Sequence, residues 1–193
     1  MRTLVALLLL STPATTAGIV DRIAVIVGTQ VITQTQVEEE VRVTQFENQE
    51  PLNLGPEARQ AAAERLVDQQ LLRKEMNLER YRPPAANEGA KLLDQFRREN
   101  YPDAGRFAAA LKHYCITAQQ LENHLLWQAE LVSFVDFRFR GPASAESPLK
   151  TESASRALPG AAAADAASDA QLDAWLKDAR SQTRVEFKKE AFQ

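Results

Sequence analysis

The stretch IVDRIAVIVGTQVITQTQVEEEVRV, Ile19 to Val43, decides how the rest of the chain must be arranged. It opens with the apolar run Ile23-Ala24-Val25-Ile26-Val27, breaks at Gly28-Thr29-Gln30, and resumes with Val31-Ile32. β-Branched side chains are stiff at χ1 and suit a pleated surface. Gly28 can take the positive φ that a tight reversal requires. The pattern predicts a short two-stranded hairpin. Ala24 and Ile26 are as apolar as their neighbours, so both faces of the first strand should be covered. Behind it, Thr33 or Thr35 can cap a helix, with Glu38, Glu39 and Glu40 read as its first turn, where the macrodipole favours negative charge. A lone hairpin of this size is marginal in water, so some other part of the chain must cover it.

Working outward, Asn48 to Gly55 reads as a loop broken by Pro51 and Gly55. Pro56 suits a first helical position, where its missing N–H costs nothing. From Glu57 to about Arg80 there is neither Gly nor Pro, and good helix formers dominate. Ala63, Leu66, Val67, Leu71 and Leu78 mark one face, with Leu72 and Met76 beside it. Arg82-Pro83-Pro84 ends this helix. A shorter one follows from about Asn87 to Glu99 with Leu92, Leu93 and Phe96 inward. Asp103 can cap another carrying Phe107 and Leu111. Thr117 then caps a long helix, Ala118 to about Phe139, with Ile116 stapling onto Leu121. That helix has two apolar stripes: Leu121, Leu125, Val132 and Phe139 on one, Trp127, Leu131 and Phe134, with Phe137 nearby, on the other. Either it is sandwiched between layers, or one stripe faces a partner.

From Gly141 to Ser168 the composition turns to Ala, Ser, Pro and Gly with scattered charge, and no large apolar residue recurs. Such a stretch cannot offset its conformational entropy by burial and reads as a flexible linker. Asp169 can cap a helix over 170–181 with Leu172, Trp175, Leu176 and Ala179 on its apolar face. Arg184-Val185-Glu186-Phe187-Lys188 then alternates with period two, the pattern of a half-buried strand. That strand is the missing cover for the hairpin. The expected fold is therefore mostly α with a small β-sheet, an N-terminal hairpin plus a C-terminal strand packed on a bundle of about five helices.

Met1-Arg2-Thr3 followed by the apolar Leu4 to Leu10 and the small polar Ser11 to Ala17 reads as a secretory signal peptide over residues 1–17. The apolar run is too short to span a bilayer. Secretion and no membrane span after cleavage follow as expectations. Apolar residues at 45% and charged residues at 25% place the chain among globular domains. A net charge of −3 leaves no whole-chain electrostatic footprint for nucleic acid. Cys115 is the single cysteine, so no intramolecular disulfide can form.

VDRIAVIVGTQVITQTQVEE and the helical ERLVDQQLLRKE (Glu64 to Glu75) resemble the N-terminal domain of the SurA family of periplasmic chaperones. SDAQLDAWLKDARSQTRVEF, Ser168 to Phe187, resembles that family's closing helix and strand. The resemblance implies a chaperone domain over residues 18–140, completed by residues 169–193. In the family, parvulin-type prolyl isomerase domains sit between these two parts. Here residues 141–168 hold that place, too short and wrong in composition for a parvulin domain. The basis for isomerase activity is thereby removed, and the chaperone core is what remains.

No residues point to catalysis. His113 and His124 do not share a helical face, and Cys115 has no ligand-spaced neighbour, so surface or capping roles are expected for the histidines and burial at a helix boundary for the cysteine. Glu38-Glu39-Glu40 point in different directions and read as a solvated turn. No phosphate loop, nucleophile elbow or zinc spacing occurs. Neither cofactor nor metal is expected. Trp127, Leu131, Phe134 and Phe137 are the candidate client-binding residues: either they pack as core against Trp175 and its helix, or they line a shallow groove for extended, unfolded polypeptides. The expected function is a non-catalytic chaperone whose clients include outer-membrane proteins. A prolyl isomerase and an envelope scaffold with one folded partner are the competing readings.

Overall fold

The structure, a computed structural model, describes residues 21–85, 87–140 and 161–192. The signal-peptide reading and residues 141–160 of the linker lie outside the described residues. Strands β1 (Ile23–Val27) and β2 (Gln30–Thr33) pair antiparallel around Gly28-Thr29. Gly28 has φ +59° and Thr29 has no positive φ, which suits a type II′ turn with glycine at its first central position. The third strand, β3 (Val185–Phe187), adds to the other edge of β1 with Val25 opposite Phe187, Ile26 opposite Glu186 and Val27 opposite Val185. The sheet order is β2-β1-β3. Two flanking bonds extend the seam: Gly28 N–H donates to Arg184 O at 2.8 Å and Lys188 N–H to Ala24 O at 2.8 Å. The hairpin is therefore completed by residues more than a hundred positions away, as its marginal size requires.

A bulge interrupts the β1–β2 register between Ile23 and Val25. One extra residue on β1 re-aims the side chains around it, so the consecutive Ala24 and Val25 are both fully buried while Ile23 turns outward. Ile26 is half-buried. Both faces of the strand are covered at its centre.

Six helices accompany the sheet among the described residues. Helix α1 (Gln34–Glu47) opens on a reciprocal capping box: Gln36 N–H donates to Thr33 Oγ1 at 3.3 Å and Thr33 N–H to Gln36 Oε1 at 2.9 Å. Because the helix starts at Gln34, the three glutamates fall beyond its first turn, and Glu40 is buried rather than solvated. Helix α2 (Pro56–Leu78) carries the strongest buried face, with Ala62, Ala63, Val67, Leu71, Leu72 and Met76. Leu78, expected on that face, is 69% exposed and borders an open cleft beside the hairpin turn at Gly28 and Thr29. Helices α3 (Glu88–Asn100), α4 (Ala104–Tyr114) and α5 (Ala118–Val135) follow, with Asp103 and Thr117 as N-caps of the last two. α5 runs on into a π-helical turn, Asp136–Arg140.

Cys115 ends α4 in the left-handed region at φ +54°, with Ile116 N–H bonded back to Leu111 O. In this left-handed termination Ile116 supplies the buried apolar contact, so the thiol is exposed and not buried as its residue type suggested.

Helix α6 (Ala161–Gln182) begins well before Asp169 and absorbs residues 161–168 of the expected linker. No Gly or Pro lies between 161 and 182, and alanine is the best helix former. A docked C-terminal half supplies the nucleus from which such a run propagates. Arg180 clamps that half to α2, with Nε 2.7 Å from Asp68 Oδ1, Nη2 2.8 Å from Oδ2 and a further bond to Glu64 O.

The interior divides into three packed groups. The sheet, α1 and α2 enclose Val25, Ile32, Val37, Val41, Val67 and Leu71, closed by Ala191 and Phe192 after β3. At the other end of α1, Phe46 is the centre of an aromatic group, stacked on Tyr101 at 5.5 Å and edge-on to Tyr114 and Phe107 at 5.4 and 6.2 Å. The third group joins α2, α5 and α6 around Leu72, Met76, Trp127 and Phe134.

Candidate functional site

The four residues singled out on α5 belong to that third group. Trp127 is 6% exposed and Phe134 2%, and Leu131 and Phe137 are half-buried beside them. Leu172, Trp175 and Leu176 of α6 cover one side and Leu72 and Met76 of α2 the other. The guanidinium of Arg73 lies 4.1 Å above the Trp127 ring, and Tyr81 meets Phe134 edge-on at 5.3 Å. Of the two arrangements open to this stripe, the structure adopts the packed core, so it is not available as a groove. The physical reason is α6: its apolar face needs a partner, and this stripe is what it lies on.

The other stripe of α5 is the one left open. Leu121, at its start, is fully buried with Phe46 and Ile116. Further along, Leu125 is half-buried and Val132 is 62% exposed. α5 and α3 pack closely at the N-terminal end of α3, where Gly89 is buried and a Cβ in its place would come within 2.9 Å of Glu122 Cγ. Away from this contact the helices enclose an open cleft of about 580 Å³. Its floor and walls are Leu92, Phe96, Leu125, Ala129 and Val132, and Pro84 and Ala85 close one end. Glu88, Gln95, Glu99 and Gln128 form a polar rim. Apolar walls with a few rim groups are the general character of sites that take an apolar ligand or peptide side chains. Leu92 and Phe96 were legible as inward-facing residues of α3. That they also line an opening follows only from how α3 leans on α5.

His124 is neither a surface nor a capping residue. Its side chain is 11% exposed, with Nε2 3.0 Å from Glu47 Oε2 and Nδ1 3.7 Å from Glu40 Oε2. Glu40 also receives Arg65 Nε at 3.1 Å, and Gln128 Nε2 donates to Glu47 at 2.8 Å. Two carboxylates one heptad apart on α1 thus hold α5, and α2 joins through Arg65. Burial opposes the charge on Glu47, but the His124 hydrogen bond, the His124 charge and the Gln128 amide outweigh it and hold its carboxyl below the usual value of 4.5. A depressed folded-state value means that ionised Glu47 stabilises the fold fully above about pH 4.5 and loses that contribution as pH falls through the lower value. Glu47→Gln should therefore flatten the acid limb of a plot of Tm against pH below that point. An unchanged acid limb would count against a stabilising role for this junction. His113, by contrast, is exposed on α4 with its ring against Tyr114.

A second, smaller cleft of about 250 Å³ lies between the hairpin, α1, α2 and α5. It is bordered by the side-chain amides of Gln36, Gln69, Gln70, Gln120 and Asn123. Among the described residues, no helix is long and apolar enough to cross a membrane, and no three His, Cys, Asp or Glu side chains gather to hold a metal ion. No family model matches the chain, and no curated protein matches it at a significant level.

Proposed function

We propose that this chain is a SurA-like chaperone of the periplasm that holds extended or unfolded polypeptides, outer-membrane proteins among them, without catalysis. The observation that carries the reading is the open apolar cleft between α3 and α5, on a helix whose opposite stripe is already consumed by the core. A second support is the sheet that joins the two ends of the chain, the arrangement expected of that family's chaperone core. Apolar burial contributes roughly 25 cal/mol per Å², and association and ordering costs consume much of it. A cleft of this size therefore binds weakly, on the order of micromolar to millimolar. Weak, sequence-tolerant capture suits a protein that must release its cargo.

Val132→Asp tests this without touching the core, because Val132 is already 62% exposed. The variant should keep the native Tm within about 2 °C, as surface substitutions away from packed features do. It should lose most of its ability to suppress aggregation of an unfolded outer-membrane protein diluted from denaturant. Full suppression by a folded variant would rule out the α3/α5 cleft as the client site.

A further inference from the structure

We propose that His124 is a pH-sensitive latch: its protonated ring fastens α5 to α1 and keeps the α3/α5 cleft in its client-holding form, and loss of that proton weakens the hold. The inference rests on the cleft reading above and adds the condition under which the cleft works.

His124 stands on α5 with its side chain 11% exposed, clasped from α1 by two carboxylates. Nε2 is 3.0 Å from Glu47 Oε2, and Nδ1 is within ion-pair reach of Glu40 Oε2 at 3.7 Å. Only the imidazolium carries an N–H on both nitrogens; a neutral ring carries one, so one of the two carboxylates then faces a ring lone pair. The clasp is complete in one protonation state alone, and histidine is the side chain whose charge ordinarily changes between about pH 5 and pH 8. The other charges around the ring supply no substitute. From α1, Glu39 borders the same small cleft as His124 and adds a further negative group. From α2, Arg65 is engaged by Glu40 at 3.1 Å, and the guanidinium of Arg73 lies over the Trp127 ring. α5 itself brings the neutral amides of Gln120, Asn123 and Gln128.

Gln128 carries the state of the latch to the cleft. One turn beyond His124, its Nε2 is 2.8 Å from Glu47 Oε2 and 3.1 Å from His124 Nε2. With a proton on His124 Nε2, the ring N–H and the Gln128 N–H converge on Glu47. With that nitrogen bare, it becomes an acceptor that competes with Glu47 for the Gln128 N–H, and Glu47 faces a lone pair. Gln128 is also a rim residue of the α3/α5 cleft, and Leu125, next to His124 in the chain, lines its wall. A shift of α5 at the latch is therefore a shift of one side of the cleft. The sign follows: the latch is closed on the acid side and is released as His124 loses its proton with rising pH. Its lower limit is set by Glu47, whose carboxyl is held below 4.5 and must stay ionised.

The probe is a rhodamine-labelled, acetylated and amidated peptide of Leu, Phe and Gln, which carries no group that titrates in this range. Binding to the full chain is read by fluorescence anisotropy and should be about fivefold tighter near pH 5.5 than near pH 8, the low end of coupling between two sites. His124→Gln should bind equally at both values, at the level of the native chain near pH 8, whereas His113→Gln should keep the fivefold change. Calorimetry of the native chain near neutral pH, in two buffers of different ionisation enthalpy, should show proton uptake on peptide binding, because coupling is reciprocal. That measurement needs no variant: if His124→Gln does not fold, uptake by the native chain supports the latch and its absence overturns it. Peptide binding that is lost in Val132→Asp yet independent of pH would keep the cleft and overturn the latch. A fivefold change that persists in folded His124→Gln would overturn the assignment to His124. Binding at no pH would overturn this proposal together with the cleft reading beneath it.

Discussion

Deletion of residues 183–193 is expected to abolish cooperative thermal unfolding. β3 supplies the second edge of β1 over three residue pairs, and the seam continues through the Gly28–Arg184 and Ala24–Lys188 bonds. The same deletion removes Ala191 and Phe192, 2% and 8% exposed, from the core between the sheet, α1 and α2. What is left is a two-stranded hairpin, which does not sustain itself in water, above a core opened on one side. The expected loss exceeds about 5 kcal/mol, comparable to the whole stability of many domains. Circular dichroism should show helix retained in part and a broad, low-temperature transition. Phe192→Ala is the graded version: a cost of about 3 kcal/mol and a Tm lowered by about 10 °C. A deletion variant that melts like the native chain would mean that the strand adds nothing to the fold.

Phe134→Ala is expected to cost about 3–5 kcal/mol, the range for removing a fully packed phenylalanine. Its ring meets Tyr81, and its neighbours come from α2, α5 and α6. Three helices converge there, and none can collapse into the space without moving another. The measurement is chemical denaturation, in which the midpoint should fall while the slope stays constant. Set beside Val132→Asp, two residues away on the same helix, the pair separates core from cleft. Phe134→Ala should lose stability, and client holding only in proportion; Val132→Asp should lose holding alone. A stable Phe134→Ala variant that no longer holds clients would return the candidate site to the stripe of Trp127, Leu131, Phe134 and Phe137.

Much of the fold was legible in the residues because it rests on short-range physics. The Val27-Gly28-Thr29-Gln30 reversal, the Thr33, Asp103 and Thr117 caps, the proline that opens α2 and the period-two pattern at Val185 and Phe187 are each set by a few neighbouring atoms. The misreadings share one origin. Glu40 and His124 look like surface polar residues until α1 and α5 are laid together, when each becomes the other's partner. Residues 161–168 look like linker until the second half of α6 is docked and the helix propagates back through alanine. Cys115 looks like a buried thiol until the chain reverses in the left-handed region at that very residue.

The cleft shows the boundary most clearly. By itself the sequence determined that α5 has two apolar stripes, because periodicity along one helix is a local property. It also determined that a strand near residue 185 must find the hairpin, because an unsatisfied edge and a half-buried pattern demand each other. Which stripe is spent on the core was decided only by the tertiary structure. α6 covers Trp127 and Phe134, while α3 touches α5 closely at Gly89 and leaves Leu125, Ala129 and Val132 facing an opening. Burial is a contest between surfaces from distant parts of the chain, and one helix's pattern records that it has two faces to offer but not which neighbour claims each.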